Sequence, residues 1–229
     1  MLVKSFEAQA FGTNCYVVAA GEGEPCVVVD PGIGVLTTLD ALLAEYRLTA
    51  AAVLLTHGHL DHCFSVAPVC GAREITAYVH PGDREMLADP AKGLSMSLTE
   101  LFGGRLPYSE PEKVEPLPDG GTITVAGIEF TVDHAPGHTG GSVLFRTPGE
   151  QAELCLSGDV LFAGSIGRTD LPGGSMPEMI KSLRDKILTL DDETVVLPGH
   201  GPTTTIGRER RSNPYLLEVA EGTGQGRGW

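Results

Sequence analysis

The spacing of hydrophobic positions predicts a chain of short strands alternating with helices. Runs of apolar, largely β-branched residues predict strands at 15–18, 26–29, 51–55, 143–146, 154–157 and 194–197. Apolar residues at helical spacing predict one helix over 35–47 and a second that begins near Pro177 and carries Ile180, Leu183, Ile187 and Leu190. Alternation on both sides of Ala126-Gly127 predicts a hairpin of strands at 122–125 and 128–132.

The order of these elements is strands, helix, strand, repeated once, which indicates two similar halves without a sequence repeat. Between them, residues 83–118 are dotted with proline and weakly periodic, so we expect a loop-rich insertion containing a short helix. Its apolar residues fit a lid over a site, core packing or a dimer contact equally well; they are Met96, Leu98, Leu101, Phe102 and Tyr108. Residues 1–220 are expected to form a single domain, and the glycine-rich residues 221–229 a flexible tail.

Composition and charge exclude several classes of function. The chain has 229 residues, 41% of them hydrophobic, and a formal net charge of −14, which disfavours nucleic acid or an anionic membrane surface as a partner. The longest aliphatic run, 50–55, is too short to cross a bilayer, and the N-terminus lacks the features of a secretion signal. Five cysteines without a CxxC pair are typical of a reducing compartment, so we expect a cytoplasmic protein.

The placement of the histidines carries the chemistry. His57, His59, Asp61 and His62 fall within six residues, and neutral imidazoles with a carboxylate on a rigid turn are typical metal ligands. Three imidazoles and a carboxylate exceed the needs of one four-coordinate ion, which indicates two metals. Three further candidate ligands follow or end apolar runs and are flanked by glycine, namely His138, Asp159 and His200.

The string Thr56-His57-Gly58-His59-Leu60-Asp61-His62 resembles the THxHxDH signature of the metallo-β-lactamase superfamily. The segments at 158–162, 167–170, 198–202 and 209–215 are similar to the short form of the glyoxalase II-like hydrolases. This resemblance implies an α/β fold, an αββα sandwich of two mixed β-sheets flanked by helices. It also implies a metal-bridging hydroxide that attacks a small-molecule thioester of the S-(2-hydroxyacyl)glutathione type.

The resemblance also implies how the ligands divide. His57, His59 and His138 would hold the first divalent metal, and Asp61, His62 and His200 the second, with Asp159 bridging both. We expect zinc, while iron and manganese also suit this ligand set. Only 29 residues follow His200, whereas long-form glyoxalase II enzymes have a C-terminal helical region that helps bind glutathione. The thiol that carries the acyl group therefore stays open, as does the oligomeric state.

A second reading within the superfamily is a persulfide dioxygenase with a single iron. That class shares the His-x-His-x-Asp-His string, and its facial triad would here consist of His57, His138 and Asp159. The segment Pro198-Gly199-His200-Gly201 resembles the hydrolases instead, where the dioxygenases usually read Pro-Ala-His-Asp. The hydrolase is therefore the preferred interpretation.

Five other residues have candidate roles near the predicted site or in the fold. Asp30 fits either an acceptor that orients a ligand histidine or a turn former, and Arg168 fits either a substrate carboxylate or a salt bridge to Asp170. His134 is expected to be structural, His80 to lie on a surface turn rather than face the pocket, and Cys63 to point into the core rather than bind metal.

Overall fold

Two six-stranded β-sheets form the centre of the computed structural model, which describes residues 1–95 and 108–222. The first sheet has the strand order β1 to β6, and its strands are Leu2–Glu7, Asn14–Ala19, Pro25–Val29, Thr49–Leu54, Thr76–Val79 and Val114–Pro116. β1, β2 and β3 pair antiparallel, whereas β3 to β6 run parallel. The parallel pairs are joined through helices, because neighbouring parallel strands need a crossover connection.

The second sheet also has its strands in sequential order, from β7 at one edge to β12 at the other. Its strands, β7 to β12 along the chain, are Thr122–Val125, Ile128–His134, Val143–Pro148, Glu153–Gly158, Val195–Pro198 and Thr204–Thr205. β10 and β11 are parallel and the other neighbours antiparallel, so both sheets are mixed. The expected hairpin is confirmed, with Val125 opposite Ile128.

The helices lie on the outer faces of the two sheets. On the first sheet these are α1 to α4, at Leu36–Glu45, Leu60–Cys63, Val66–Gly71 and Arg84–Ala88, the last flanked by short 3-10 turns at Pro81–Asp83 and Pro90–Gly93. On the second they are α5 to α7, at Met176–Ser182, Ile206–Ser212 and Pro214–Ala220; α5 continues as a π-helical turn over Leu183–Ile187.

Alternation along the strands explains the four layers. In β2, Val17 packs towards the helices of the first sheet, while its neighbour Val18 packs towards Phe130 and Phe145 of the second sheet. In the second sheet, Leu144 packs instead against the helices outside it. Because successive side chains of a strand point to opposite faces, each sheet is covered by helices on one side and by the other sheet on the other. The result is the expected αββα sandwich.

Several elements were not predicted, and part of the insertion lies outside the described residues. The missed elements include β1, β6, β12, α2, α3, α6 and α7. The insertion contains the expected short helix, α4, but also β6 at the edge of the first sheet. The lid expectation falls largely on residues 96–107, and the tail expectation on 223–229, neither of which is described. None of the described helices has the length and apolar character needed to cross a membrane.

Candidate metal centre

The candidate ligands emerge where strands of both sheets end. β4 of the first sheet ends three residues before His57, and its loop leads through His59 into α2, which carries the next two candidates. β8, β10 and β11 of the second sheet end shortly before His138, Asp159 and His200. Since β8, β10 and β11 run in the same direction, their carboxyl ends share one edge, where loops gather functional groups on a rigid scaffold.

The structure brings all seven predicted residues together. Their ligand-capable atoms form three overlapping groups, in each of which all atoms lie within 4.8 Å of one another. These groups are His57–His59–His138, His57–His62–Asp159 and Asp61–His62–His200. The Asp159 carboxylate lies in the middle, with Oδ2 3.5 Å from both His138 Nε2 and His200 Nε2, and Oδ1 3.4 Å from His62 Nε2.

The polar atoms of this site fit a bound cation. His57 Nε2 and Asp159 Oδ1 are buried without a hydrogen-bond partner in the described part of the chain. Leaving such atoms unpaired is costly, and a divalent ion would satisfy their lone pairs. His59 Nδ1 lies 2.8 Å from His138 Nε2, so two ring nitrogens already converge. The donor set of imidazole and carboxylate suits zinc, iron or manganese.

Two hydrogen bonds fix the orientation of ligand histidines. His62 Nδ1 lies 2.9 Å from Asp30 Oδ2, and because a carboxylate only accepts, Nδ1 carries the proton and Nε2 faces the site. His138 Nδ1 donates to the Arg168 carbonyl at 2.7 Å, with the same effect. Asp30 also accepts from the Thr56 backbone N–H and hydroxyl, and it has a positive φ of 50°. Asp30 therefore combines both roles considered for it, acceptor and turn former.

Burial keeps one group of histidines neutral. It lowers the pKa of His57 well below its usual range, that of His59 to about 4 and that of His138 to about 3. The neighbouring histidines reinforce the shift at His57 and His138 because two cations at such close range would repel. Neutral imidazole is the form that binds a metal, so this group needs no deprotonation at pH 7.

The other group favours positive charge. Burial disfavours the protonated form of His62, but the carboxylates of Asp61, Asp159 and Asp30 outweigh it and raise the pKa of His62 to about 10. Burial raises the pKa of Asp159 to about 6, while His62 and His200 act to lower it. Against the effect of burial, His62 and His200 hold the pKa of Asp61 well below its usual range. The carboxylates thus attract a cation to this place.

Gly199 lets the loop that follows β11 come close to Asp159 and His62. A Cβ atom at this position would lie 2.1 Å from Asp159 Oδ1 and 2.7 Å from His62 Cε1, both far inside van der Waals contact. Glycine is therefore required by the close approach of the backbone to the candidate ligands. This gives the glycine flank of His200 in the sequence a physical reason.

Three residues around the start of β2 stabilise this site through hydrogen bonds, and no local sequence pattern predicted them. Thr13 donates its hydroxyl to Asp61 Oδ2 at 2.9 Å, and its backbone forms an isolated β-bridge with His200. Asn14 and Tyr16 donate side-chain hydrogen bonds to the Pro198 carbonyl at 2.9 and 2.7 Å. These contacts tie the start of β2 to the loop of His200.

Asp83 is a further residue of the site that no sequence pattern predicted. Its buried carboxylate accepts from the Gly58 N–H at 2.8 Å, the Thr139 hydroxyl at 2.6 Å and the Gly141 N–H at 2.7 Å. Gly58 belongs to the loop of His57 and His59, and the other two donors to the loop of His138. Asp83 therefore joins loops from both sheets behind the metal-binding candidates.

A cavity of about 480 Å³ opens onto these residues. Its lining includes His59, Asp61, His138, Asp159 and His200, and the remaining wall is mainly apolar: Phe11, Leu60, Leu94, Phe162 and Leu171. Arg168 also lines it, but its guanidinium forms a bidentate pair with Asp170, with two N–O distances of 2.7 Å. The salt bridge anticipated for Arg168 is thus present.

The remaining provisional assignments concern residues outside this cavity. His80 stacks on His134 with ring centroids 4.0 Å apart. Its side chain is buried, so the expectation that it lies exposed on a surface turn was wrong. His134 donates Nε2–H to the Gly140 carbonyl at 2.9 Å, a structural role. Cys63 is buried in the core of the first sheet, and burial raises the pKa of its thiol to about 12.

Comparison with known proteins agrees with this geometry. A family model described as the metallo-β-lactamase superfamily matches residues 8–200. An uncharacterized protein of Mycobacterium tuberculosis is 49% identical over 220 residues, covering 94% of this chain and 98% of the relative. The hydroxyacylglutathione hydrolase GloC of Haemophilus influenzae is 32% identical over 230 residues, covering 94% of this chain and 98% of the relative.

Two crystal structures share the fold closely. BLEG-1, a B3 metallo-β-lactamase, superimposes with a TM-score of 0.83 at 38% identity, covering 94% of this chain and 99% of its own. TTHA1623 in a di-iron-bound form superimposes with a TM-score of 0.78 at 37% identity, covering 93% of this chain and 100% of its own. The chain is thus similar over nearly its whole length to proteins of one family.

Proposed function

The chain belongs to the metallo-β-lactamase superfamily, and from this premise we propose that it is a metal-dependent hydrolase of thioesters of the S-(2-hydroxyacyl)glutathione type. The observation that carries the proposal is the overlap of three ligand groups, linked by His57 and His62, beside one cavity that five of the seven candidates line. The hydroxyacylglutathione hydrolase GloC, 32% identical along almost the full length of both chains, supports this thioester class.

The proposed ligands are divided between two metal ions. His57, His59 and His138 hold the first, Asp61, His62 and His200 the second, and Asp159 contacts both. Zinc is the metal proposed, while iron and manganese also fit the donors, and TTHA1623 is a relative with two irons. The central position of Asp159, about 3.5 Å from ring nitrogens on both sides, supports its role as the bridge.

When bound, two divalent ions would lower the pKa of water towards 7 and polarise the thioester carbonyl. The protein's own part is to prepare the ligands. Asp30 and the Arg168 carbonyl hold protons on the outer nitrogens of His62 and His138, which leaves the inner nitrogens free. Thr13 holds Asp61 with a hydrogen bond, so that this carboxylate does not need to reorganise.

The cavity wall restricts where the substrate can lie. Phe162 packs edge-on against His200, with ring centroids 6.0 Å apart, and Leu60 adjoins Asp61 at the floor of the cavity. These apolar groups exclude bulk water from the side of the site that a thioester would occupy. Arg168 lies at the same cavity, and a contact with a substrate carboxylate is proposed for it only where the substrate displaces Asp170.

The test is release of free thiol from S-D-lactoylglutathione by purified protein, with metal content measured on the same sample. We expect rapid release with about two metals per chain. Two metals without release would retain the hydrolytic centre but reject this acyl carrier. A single iron, together with oxygen uptake on glutathione persulfide, would instead identify a dioxygenase and overturn the proposal.

A further inference from the structure

Phe11 is a large aromatic side chain that the fold leaves in the open. Its exposed fraction is 59%, and Leu36 and Leu217 are the other large hydrophobic residues exposed in the described part of the chain. Those two lie on helices outside the cavity, whereas Phe11 lines the cavity together with the candidate metal ligands. Burial in the core therefore does not account for an aromatic residue at this position.

The backbone does not account for it either. Phe11 has φ of 64° and is followed by Gly12 with φ of 67°, so two successive residues adopt the left-handed conformation between β1 and β2. Asn-Gly or Asp-Gly is the favoured pair for two positive φ values, and a bulky aromatic residue is disfavoured there. A strained and exposed residue beside a reactive site suggests that its side chain serves the ligand.

The turn of Phe11 is firmly held next to the ligands. Ala8 N–H donates to the Thr13 carbonyl at 2.7 Å, which closes the turn, and Gln9 N–H donates to the Ile33 carbonyl at 3.1 Å. Thr13, two residues after Phe11, contacts both Asp61 and His200. The ring therefore belongs to a fixed wall of the cavity.

Away from the proposed metal ions, the cavity offers an anionic thiol little positive charge. Arg168 is the one lysine or arginine among the described lining residues, and its Nε and Nη2 are already paired with Asp170. The net charge of −14 adds a repulsive field for an anionic substrate. Apart from the candidate ligands, Ser95 and Arg168, the described lining residues are aliphatic or aromatic.

We infer that Phe11, with Leu94, Phe162 and Leu171, forms a subsite for an apolar substituent of the thioester, and that the preferred substrates carry this group on an uncharged thiol. The inference rests on the proposed thioester hydrolysis: S-D-lactoylglutathione is hydrolysed, but with a lower kcat/KM than thioesters that carry an apolar group on an uncharged thiol. Phe11 acts in it as a specificity-determining residue that contacts the substrate and takes no part in the chemistry.

The first test compares four thioesters: the phenylacetyl and D-lactoyl esters of N-acetylcysteamine, which is uncharged, and of glutathione. We expect the metal-loaded protein to show the highest kcat/KM for S-phenylacetyl-N-acetylcysteamine. Phe11→Asn should raise the KM for this substrate about tenfold with little change in kcat, because an aromatic contact is lost without disturbing the reacting atoms. The KM for the D-lactoyl ester of the same thiol should change by less than about twofold.

Ala126→Asn is a matched control. Ala126 and Gly127 repeat the backbone pattern, with φ of 54° and 72°, in the β7–β8 hairpin outside the cavity. Asparagine tolerates this conformation, so both variants should unfold at or above the temperature of the unchanged protein. The control should leave the KM for every thioester unchanged, and a weakened Phe11→Asn enzyme would then not be a misfolded one.

The outcomes separate this inference from the proposed function. If thioesters are hydrolysed but S-D-lactoylglutathione is preferred, or Phe11→Asn affects all four equally, the subsite is refuted while the hydrolase stands. If none is hydrolysed, the proposed function fails, and calorimetry with the thioether S-phenethyl-N-acetylcysteamine decides the subsite. Binding at least fivefold weaker in Phe11→Asn would support the subsite, and equal affinity would refute it.

Discussion

Asp30 is buried next to the candidate metal ligands and sets the ring orientation and protonated nitrogen of His62. Its carboxylate accepts three hydrogen bonds, from His62 Nδ1 and from the backbone and hydroxyl of Thr56. Because all three donors need an acceptor, the position requires two carboxylate oxygens and not merely a side chain of this size. A residue of this kind tunes a metal ligand without touching the metal.

Replacing Asp30 with asparagine should weaken metal binding by about 10- to 100-fold. Asparagine suits the positive φ at this position, but its amide would place a donor against the His62 and Thr56 donors. Competition with a chromophoric chelator measures the affinity. Asp40→Asn, which removes the exposed carboxylate paired with Arg73, should leave it unchanged. Equal affinity in both variants would show that Asp30 does not orient His62.

Asp159→Ala should lose metal from both positions, because this carboxylate lies between the two groups of nitrogens. Metal content per chain, measured by mass spectrometry after dialysis, checks this. Asp170→Ala removes a carboxylate near the cavity that contacts Arg168 instead, and it should retain both metals. Retention of two metals in Asp159→Ala would remove it as the bridge.

Between elements, the loops that carry the ligands depend on one another. Asp83 follows β5 and accepts from donors at positions 58, 139 and 141, which belong to loops of different sheets. The carboxylate is buried, so water does not replace it as a partner. Its loss would affect the fold as well as the site.

Asp83→Ala should lower the free energy of unfolding by about 3 kcal/mol, since three buried donors lose their acceptor. Urea denaturation of the metal-free protein measures the change without a contribution from metal binding. Glu85, two residues along the chain from Asp83, is an exposed partner of Lys92, and Glu85→Ala should leave the free energy of unfolding nearly unchanged. Similar midpoints for the two variants would contradict the role given to Asp83.

The sequence predicted the long helices and strands and the candidate metal ligands. It did not predict the shortest elements or the residues, such as Asp83, that hydrogen-bond to the ligand loops. Strands such as Asn14–Ala19 and Pro25–Val29 are buried runs that show directly in the hydrophobic pattern. Val114–Pro116 and Thr204–Thr205 have three and two residues, too few to show a period. Asp83 escaped notice because its partners are 25 to 58 residues distant, and only the folded chain brings them together.

Across the whole molecule, each sheet supplies part of the site. The loop after β4 brings the THxHxDH residues from the first sheet, while the second sheet brings the other three candidates. In both sheets the six strands follow one another in chain order, and the two similar halves indicated by the order of elements stay a prediction. No sequence repeat accompanied them, since topology places few demands on the identity of individual side chains.

Metal removal should therefore loosen the contact between the sheets. At metal concentrations of 100 to 1,000 times Kd, binding stabilises the folded state by roughly 2.7 to 4.1 kcal/mol. For a chain of this length, treatment with EDTA should lower Tm by on the order of 5 to 15 °C, and restoring zinc should reverse it. Calorimetry with and without EDTA gives the measurement, and an unchanged Tm would argue against metals that join the sheets.

The burial of Cys63 has a consequence for life under oxidative stress. Its thiol adjoins the ligand loop, yet burial raises its pKa to about 12, so the thiolate that reacts with peroxide is scarce at neutral pH. The proposed ligands are nitrogen and oxygen atoms alone. A peroxide dose that oxidises a thiolate ligand and releases its metal would thus find no such target here, and the centre should outlast sulfur-ligated sites in the same cell.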